Sequence, residues 1–96
     1  MEIVKIKEFT GEFAENKDIA RDLRLKNLLP ALETASSITF DFGGVQGATQ
    51  SFIHALVSDA LRKYPDTIYD SVFYKNANDD IQKIITIVYQ YIQESL

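Results

Sequence analysis

The sequence contains no cysteine, and it has a single histidine, His54. The missing cysteines exclude disulfide bonds, thiolate catalysis and every metal site that uses cysteine ligands. One histidine leaves no histidine cluster for zinc. We therefore expect no metal and no other cofactor, and the absence of cysteine agrees with a reducing compartment.

Long hydrophobic runs are missing as well. No segment approaches the roughly 20 consecutive apolar residues that a membrane-spanning helix needs. Residues 1–8 alternate Lys and Glu with apolar residues, which differs from a signal peptide. We expect a cytoplasmic protein without a role at a membrane.

Basic charge is not in excess. The chain has ten Lys and Arg against fourteen Asp and Glu, a net charge of -4. Such a balance lacks the basic stripe of proteins that bind a phosphate backbone, so we expect no nucleic acid partner. One helical region does gather cations, which we interpret as a solvated helix face: Lys17, Arg21, Arg24 and Lys26.

A chain of 96 residues with 46% hydrophobic residues has enough apolar material for one core. We expect one domain over residues 1–96. Strand patterns alternate with helix patterns along the chain, which predicts the α/β class, with helices packed on a small mixed sheet.

Residues 38–52, ITFDFGGVQGATQSF, are the most informative stretch. The continuous apolar character of Ile38–Phe42 predicts an interior strand flanked by helices. Glycines follow, and then hydroxyl side chains precede an apolar helix pattern from about Ser51 to Lys63. We expect Ser51 to cap this helix, because serine is a favoured N-cap residue.

Other patterns predict the remaining elements. A strand is expected over Ile3–Phe9, followed by a turn and a short return strand at Phe13. A helix capped by Asn16 should divide near Leu29, because Pro30 is not tolerated inside a helix. The last two elements are a strand over Asp70–Lys75 and a helix capped by Asn78.

Three short motifs suggest enzymatic sites. Asp41-Phe42-Gly43 matches the magnesium-binding tripeptide of kinases, but the other kinase motifs are absent, so the match is a coincidence. The glycines at 43, 44 and 47 have the wrong spacing for a dinucleotide loop. Ser51 and His54 share one side of a helix, as a nucleophile and its base would, but no orienting carboxylate is evident.

A set of residues spread over the chain resembles the STAS-like family of bacterial and phage-associated domains, which is related to anti-sigma-factor antagonists. The set is Gly11-Glu12-Phe13, Asn16, Ala20, Asp41-Phe42-x-Gly44-Val45, Gln50-Ser51-Phe52, Leu56, Tyr64-Pro65-Asp66, Asn76-Ala77-Asn78, Ile81 and Ile84-Ile85. The resemblance implies a single-domain STAS-like sandwich. Ile53-His54-Ala55 stand where relatives often have Ala-Asp-Glu, so contacts made by that acidic pair do not transfer.

The resemblance also implies a function. It predicts a non-catalytic, regulatory protein-interaction module that docks a histidine-kinase-like ATPase or a serine kinase through the loop and helix near Ser51. In antagonists, the first hydroxyl after an Asp takes a phosphate. When this chain is aligned directly with the antagonists, Gln50 occupies the phosphorylated position and Thr49 stands in place of the Asp. Shifting the alignment by one residue makes Ser51 the acceptor. Ser51 and Thr49 are thus the candidate phosphoacceptors.

The predicted partner surface is the loop together with one side of the following helix, where small side chains would let a partner approach. Its candidate residues are Asp41, Gly44, Gln50, Ser51, Ala55, Ser58 and Arg62. Two alternatives stay open. One is a small nucleotide-binding or enzymatic domain that uses Asp41 and the glycine-rich loop. The other is a structural or oligomerising subunit of a phage-related system, for which a homodimer is conceivable.

Overall fold

A three-stranded sheet with β3 (Ile38–Asp41) in its centre organises the computed structural model, which describes residues 2–95. β1 (Glu2–Lys5) and β5 (Val72–Lys75) flank β3, and both run parallel to it. The side chains of Phe40 and Phe42 are fully buried. The prediction of an interior strand is confirmed.

A second, two-stranded sheet joins β2 (Phe13–Ala14) to β4 (Gly47–Ala48). The α/β class with helices packed on a small sheet is confirmed, but every strand pair within residues 2–95 is parallel, whereas we expected a mixed sheet. Phe13 also does not return beside β1. Helices lie between the two strands of each pair in the chain, and such crossovers produce parallel neighbours.

In the described part of the chain, six α-helices lie between and after the strands, and the two predicted asparagine caps are confirmed. Asn16 Oδ1 accepts hydrogen bonds from the N–H groups of residues 18 and 19, and Asn78 Oδ1 accepts one from residue 81. No helix within residues 2–95 is both long and apolar enough to cross a membrane. The helices are α1 (Lys7–Thr10), α2 (Lys17–Leu23), α3 (Leu29–Glu33), α4 (Gln50–Lys63), α5 (Thr67–Ser71) and α6 (Asp79–Glu94).

The predicted division near Leu29 is confirmed, although the chain stays helical there. A π-helical turn, Arg24–Leu28, joins α2 to α3, and the Leu29 N–H donates to the Arg24 carbonyl five residues earlier. Pro30 lies in the first turn of α3. Proline cannot donate a backbone hydrogen bond, and in a regular α-helix its ring clashes with the carbonyl four residues earlier. The wider π turn avoids that clash without ending the helix.

Two expected boundaries are wrong, and one strand was not predicted. β1 ends at Lys5, and α1 occupies much of the stretch that was predicted to continue the strand to Phe9. β4 was not predicted, because its two residues carry no strand pattern of their own. β5 begins at Val72, since α5 includes Asp70 and ends at Ser71.

The core lies on one side of the three-stranded sheet. α4 packs between α2 and α6, and its apolar stripe is buried as predicted: Phe52, Ile53, Leu56, Val57, Ala60 and Leu61. Alternate side chains along each strand point to this side of the sheet, and Val4, Ile38 and Phe40 are buried there. The side chains between them lie on the opposite face.

Candidate functional site

An open cleft of about 410 Å³ lies beside the first half of α4. Because α4 packs against both α2 and α6, its early residues meet the start of one helix and the later turns of the other. α2 contributes Lys17, and α4 contributes Gln50, Ser51, His54 and Ala55. The wall from α6 consists of Ile87, Val88 and Tyr91.

Thr49, not Ser51, caps α4. Thr49 has extended backbone angles (φ -84, ψ 157), and its hydroxyl oxygen accepts a hydrogen bond from the Phe52 N–H at 3.0 Å. This corrects our expectation that Ser51 is the cap. Ser51 is instead the second residue of the helix, exposed at the rim of the cleft, and its hydroxyl has no hydrogen bond within residues 2–95.

The wall formed by α6 is unusually apolar for an exposed surface. Ile87 and Tyr91 are four residues apart and so share one helix face, and their exposed fractions are 44% and 63%. The ring of Tyr91 lies 6.4 Å from the ring of His54 across the cleft. Neither Ile87 nor Tyr91 was predicted as a site residue. Their signal in the sequence was a pair of large apolar residues, four apart, in the last helix.

The α4 residues that we predicted to contact a partner lie in different environments in the structure. Ala55 is half-buried and lines the cleft, whereas Arg62 is exposed outside it. Ser58 is only 5% exposed. This placement corrects the expectation that Ser58 offers a small surface residue to a partner.

Arg24 explains part of this division. Its guanidinium donates a hydrogen bond of 3.1 Å to the Ala55 carbonyl and lies 3.5 Å from the Asp59 carboxylate. The arginine side chain is 16% exposed. We expected Arg24 to lie on a solvated helix face with the other cations, and this expectation is wrong. Arg24 instead connects the helical segment after α2 to α4.

Asp41 is the last residue of β3 and Gly44 lies in the loop that follows, and neither residue lines the cleft. Asp41 Oδ1 accepts hydrogen bonds from Asn76 Nδ2 at 3.0 Å and from the Gly43 N–H at 2.8 Å. These bonds, the one from Asn76 first, lower the pKa of Asp41. Gly44 has a φ of +79, and a Cβ there would lie 2.8 Å from Cδ of Lys7. Asp41 thus joins the end of β3 to the residue that follows β5, and Gly44 lets the loop after β3 pass close to Lys7.

The structure also bears on the chemistry suggested by short motifs. Ser51 and His54 line the same cleft, but no hydrogen bond joins their side chains within residues 2–95. The glycine-rich loop leads into β4 before α4 begins, so its glycines do not form the first turn of a helix, where phosphates bind. Among the described residues, no group of three or more His, Cys, Asp or Glu could hold a metal ion.

Comparison with protein families matches residues 20–82 to the model described as a STAS-like domain of unknown function (DUF4325). The match covers about two thirds of the chain. It includes the loop after β3 and all of α4, whereas Lys17, Ile87 and Tyr91 lie outside it. No curated protein and no solved structure matches the chain.

Proposed function

The chain belongs to the family of STAS-like domains of unknown function (DUF4325), and from this premise we propose that it is a non-catalytic, regulatory protein-interaction module. Its docking surface is the cleft between α4, α6 and the start of α2. One observation carries the proposal: Ser51, whose hydroxyl the fold does not use as a cap, stands at the rim of an exposed apolar cleft.

The walls of the cleft suit a protein partner. Ile87 and Tyr91 expose large apolar surfaces, and tyrosine is among the residues that dominate binding energy at interfaces. The small side chain of Ala55 leaves room between the helices. An apolar or aromatic side chain of the partner would enter there, while Gln50 and Lys17 would make polar contacts at the rim.

Ser51 is the regulatory position in this proposal. A phosphate on the second residue of α4 would lie near the free N–H groups and the positive end of the helix dipole. Lys17 lines the same cleft and would add a positive charge. The fold should therefore tolerate the dianion, while the charge and shape of the rim change. Thr49 is less suitable, because its hydroxyl oxygen already accepts the Phe52 N–H.

The family resemblance supports a histidine-kinase-like ATPase or a serine kinase as the partner. Affinity purification with the wild-type chain, followed by identification of the retained protein, tests this part directly. Retention of such an ATPase or kinase is expected. If the chain retains only further copies of itself, the partner class is wrong and the oligomerising alternative is favoured.

The docking surface is tested with Ile87→Glu. We expect this substitution to weaken binding of the retained partner about 30-fold, the loss typical of a central interface residue, because it places a carboxylate in the apolar cleft. Leu25→Glu is the matched control, since Leu25 is 52% exposed but does not line the cleft. Isothermal titration calorimetry gives both affinities. Equal losses for the two variants would eliminate the cleft as the docking surface.

The regulatory role of Ser51 is tested with three forms of the chain. Ser51→Asp should weaken the partner complex, whereas Ser51→Ala should bind like the wild type. Incubation with the partner kinase and ATP should add one phosphate to Ser51, located by mass spectrometry. Equal affinities of all three forms, together with no phosphate on Ser51, would contradict regulation at this position.

A further inference from the structure

The three-stranded sheet has one uncovered face. The strand register places Ile3, Thr39 and Phe73 side by side in one row across the sheet. The next row, one residue further along each strand, consists of Val4, Phe40 and Tyr74. Successive side chains of a strand point to opposite faces. Val4 and Phe40 are buried in the core, whereas Ile3 and Phe73 are 53% and 47% exposed.

An uncovered face is unusual for this kind of sheet. Parallel sheets occur almost only where both faces are covered, because their connections place helices on them. Here the two flanking strands expose large side chains on one face, at Ile3 and Phe73, while Thr39 between them is 7% exposed. We call this one the open face, defined by Ile3, Lys5, Thr39, Asp41, Phe73 and Lys75.

The open face combines an apolar row with a charged row. Lys5, Asp41 and Lys75 are aligned next to Ile3, Thr39 and Phe73. The Asp41 carboxylate is engaged by Asn76 and Gly43, while both lysines are exposed. Neither lysine forms an ion pair within residues 2–95. The face therefore carries an excess positive charge in a protein whose net charge is -4.

The size of the open face indicates which kind of partner it can bind. Strands of four residues span about 13 Å, and three strands about 14 Å across, so the face measures roughly 200 Å². A stable protein interface, including that of a homodimer, buries about 800 Å² on each partner, several times this area, so the face suits a weaker contact with a single element. One α-helix with its side chains is about 10 to 12 Å wide, which fits the face.

We propose that the open face binds one acidic amphipathic helix of another protein. Apolar side chains of that helix would pack on Ile3 and Phe73. Carboxylates along its flanks would pair with Lys5 and Lys75. The helix would complete the missing layer of the α/β fold, at a surface separate from the cleft beside α4.

Two synthetic helical peptides of equal length serve as probes. Both carry leucines at positions i, i+3, i+4 and i+7, and one has glutamates at the flanking positions where the other has lysines. Titration into the ¹⁵N-labelled chain is followed by amide chemical shifts at low salt. The glutamate peptide should shift the amides of the open face and bind about tenfold more tightly than the lysine peptide.

A charge reversal on the chain supplies the decisive comparison. In the double variant Lys5→Glu/Lys75→Glu, the lysine peptide should become the tighter binder. If the preference is not reversed, or if the shifted amides surround Ser51 instead, the proposal is wrong. Circular dichroism and urea unfolding confirm that the variant is folded.

Substitutions of apolar residues complete the test. Phe73→Glu should abolish binding of the glutamate peptide, whereas Leu25→Glu, at a similarly exposed position, should not. Ile87→Glu should also leave peptide binding intact, so this proposal and the docking cleft fail independently. Sedimentation equilibrium that shows a micromolar homodimer disrupted by Phe73→Glu would assign the open face to a second copy and overturn the proposal.

Discussion

Thr49 and Ser51 are two residues apart at the start of α4, and their backbone environments differ. The Thr49 N–H donates to the Ala14 carbonyl at 3.0 Å, which continues the pairing of β2 with β4. This bond holds Thr49 in the extended conformation that an N-cap residue requires. Ser51 follows within the helix, and its hydroxyl forms no hydrogen bond among the described residues.

A pair of alanine substitutions tests this assignment. Thr49→Ala should lower the free energy of unfolding by about 1 kcal/mol, because the Phe52 N–H loses its acceptor. Ser51→Ala should change it by less than about 0.5 kcal/mol, as is usual for an exposed residue. Urea unfolding followed by circular dichroism measures both values. A larger loss for Ser51→Ala than for Thr49→Ala would contradict the assigned cap.

At the scale of elements, Arg24 joins two parts of the helical layer. It lies in the π-helical turn after α2, and its guanidinium reaches the Ala55 carbonyl and the Asp59 carboxylate of α4. Nε of Arg24 is buried and has no hydrogen-bond partner among the described residues. The contact therefore depends on one end of the guanidinium and on the packing of the side-chain stem.

We expect Arg24→Ala to lower the free energy of unfolding by about 2 kcal/mol, because it removes a hydrogen bond to a charged donor and the packing of the stem. Arg24→Met, which keeps an apolar stem, should recover part of this loss.

Arg21→Ala is the control for this series. Arg21 lies 4.0 Å from Asp18 and both side chains are largely exposed, so the expected change is below about 0.5 kcal/mol. Urea unfolding of the three variants provides the comparison. If Arg21→Ala costs as much as Arg24→Ala, the contact with α4 does not have the stabilising role assigned to it.

At the scale of the whole molecule, a tyrosine pair connects the sheet to the last helix. The hydroxyls of Tyr74 in β5 and Tyr89 in α6 are 2.6 Å apart. Tyr74 also stacks on Phe40, with ring centroids 6.1 Å apart, and Tyr69 meets Tyr89 edge-on at 6.0 Å. The pair thus ties α6 to the central strand. Tyr91, two residues further on, faces outward.

This pair predicts how stability depends on alkaline pH. Burial raises the pKa of Tyr89 to about 12 and raises the pKa of Tyr74 well above its ordinary value. In the unfolded chain both phenols ionise near about pH 10. The contribution of the two buried phenols to the free energy of unfolding is therefore complete below about pH 10. It is lost as the pH rises through their pKa values in the folded state.

The free energy of unfolding, measured from about pH 8 to about pH 11, should decrease above about pH 10. The decrease should be smaller in the double variant Tyr74→Phe/Tyr89→Phe. Tyr91→Phe, at an exposed position, should retain the wild-type dependence. An unchanged dependence in the double variant would mean that other groups cause the alkaline loss.

Several features of the fold follow from local chemistry and could therefore be predicted from the sequence. Asn16 and Asn78 cap helices because their side chains reach N–H groups two or three residues away. The run Ile38–Phe42 is too apolar for an exposed strand, and the stripe from Phe52 to Leu61 repeats with the helical period. Each of these signals lies within a few residues of the element that it specifies.

Other features were decided only by tertiary structure, because they depend on elements distant in the chain. Thr49 became the cap through the bond to Ala14, although serine and threonine are both favoured caps. The packing of α6 beside α4 places Tyr91 in the same cleft as Ser51. Arg24 packs on α4 and donates a hydrogen bond to the Ala55 carbonyl. The uncovered face of the sheet is likewise invisible in the sequence, since strand periodicity indicates which residues share a face but not whether another layer covers it.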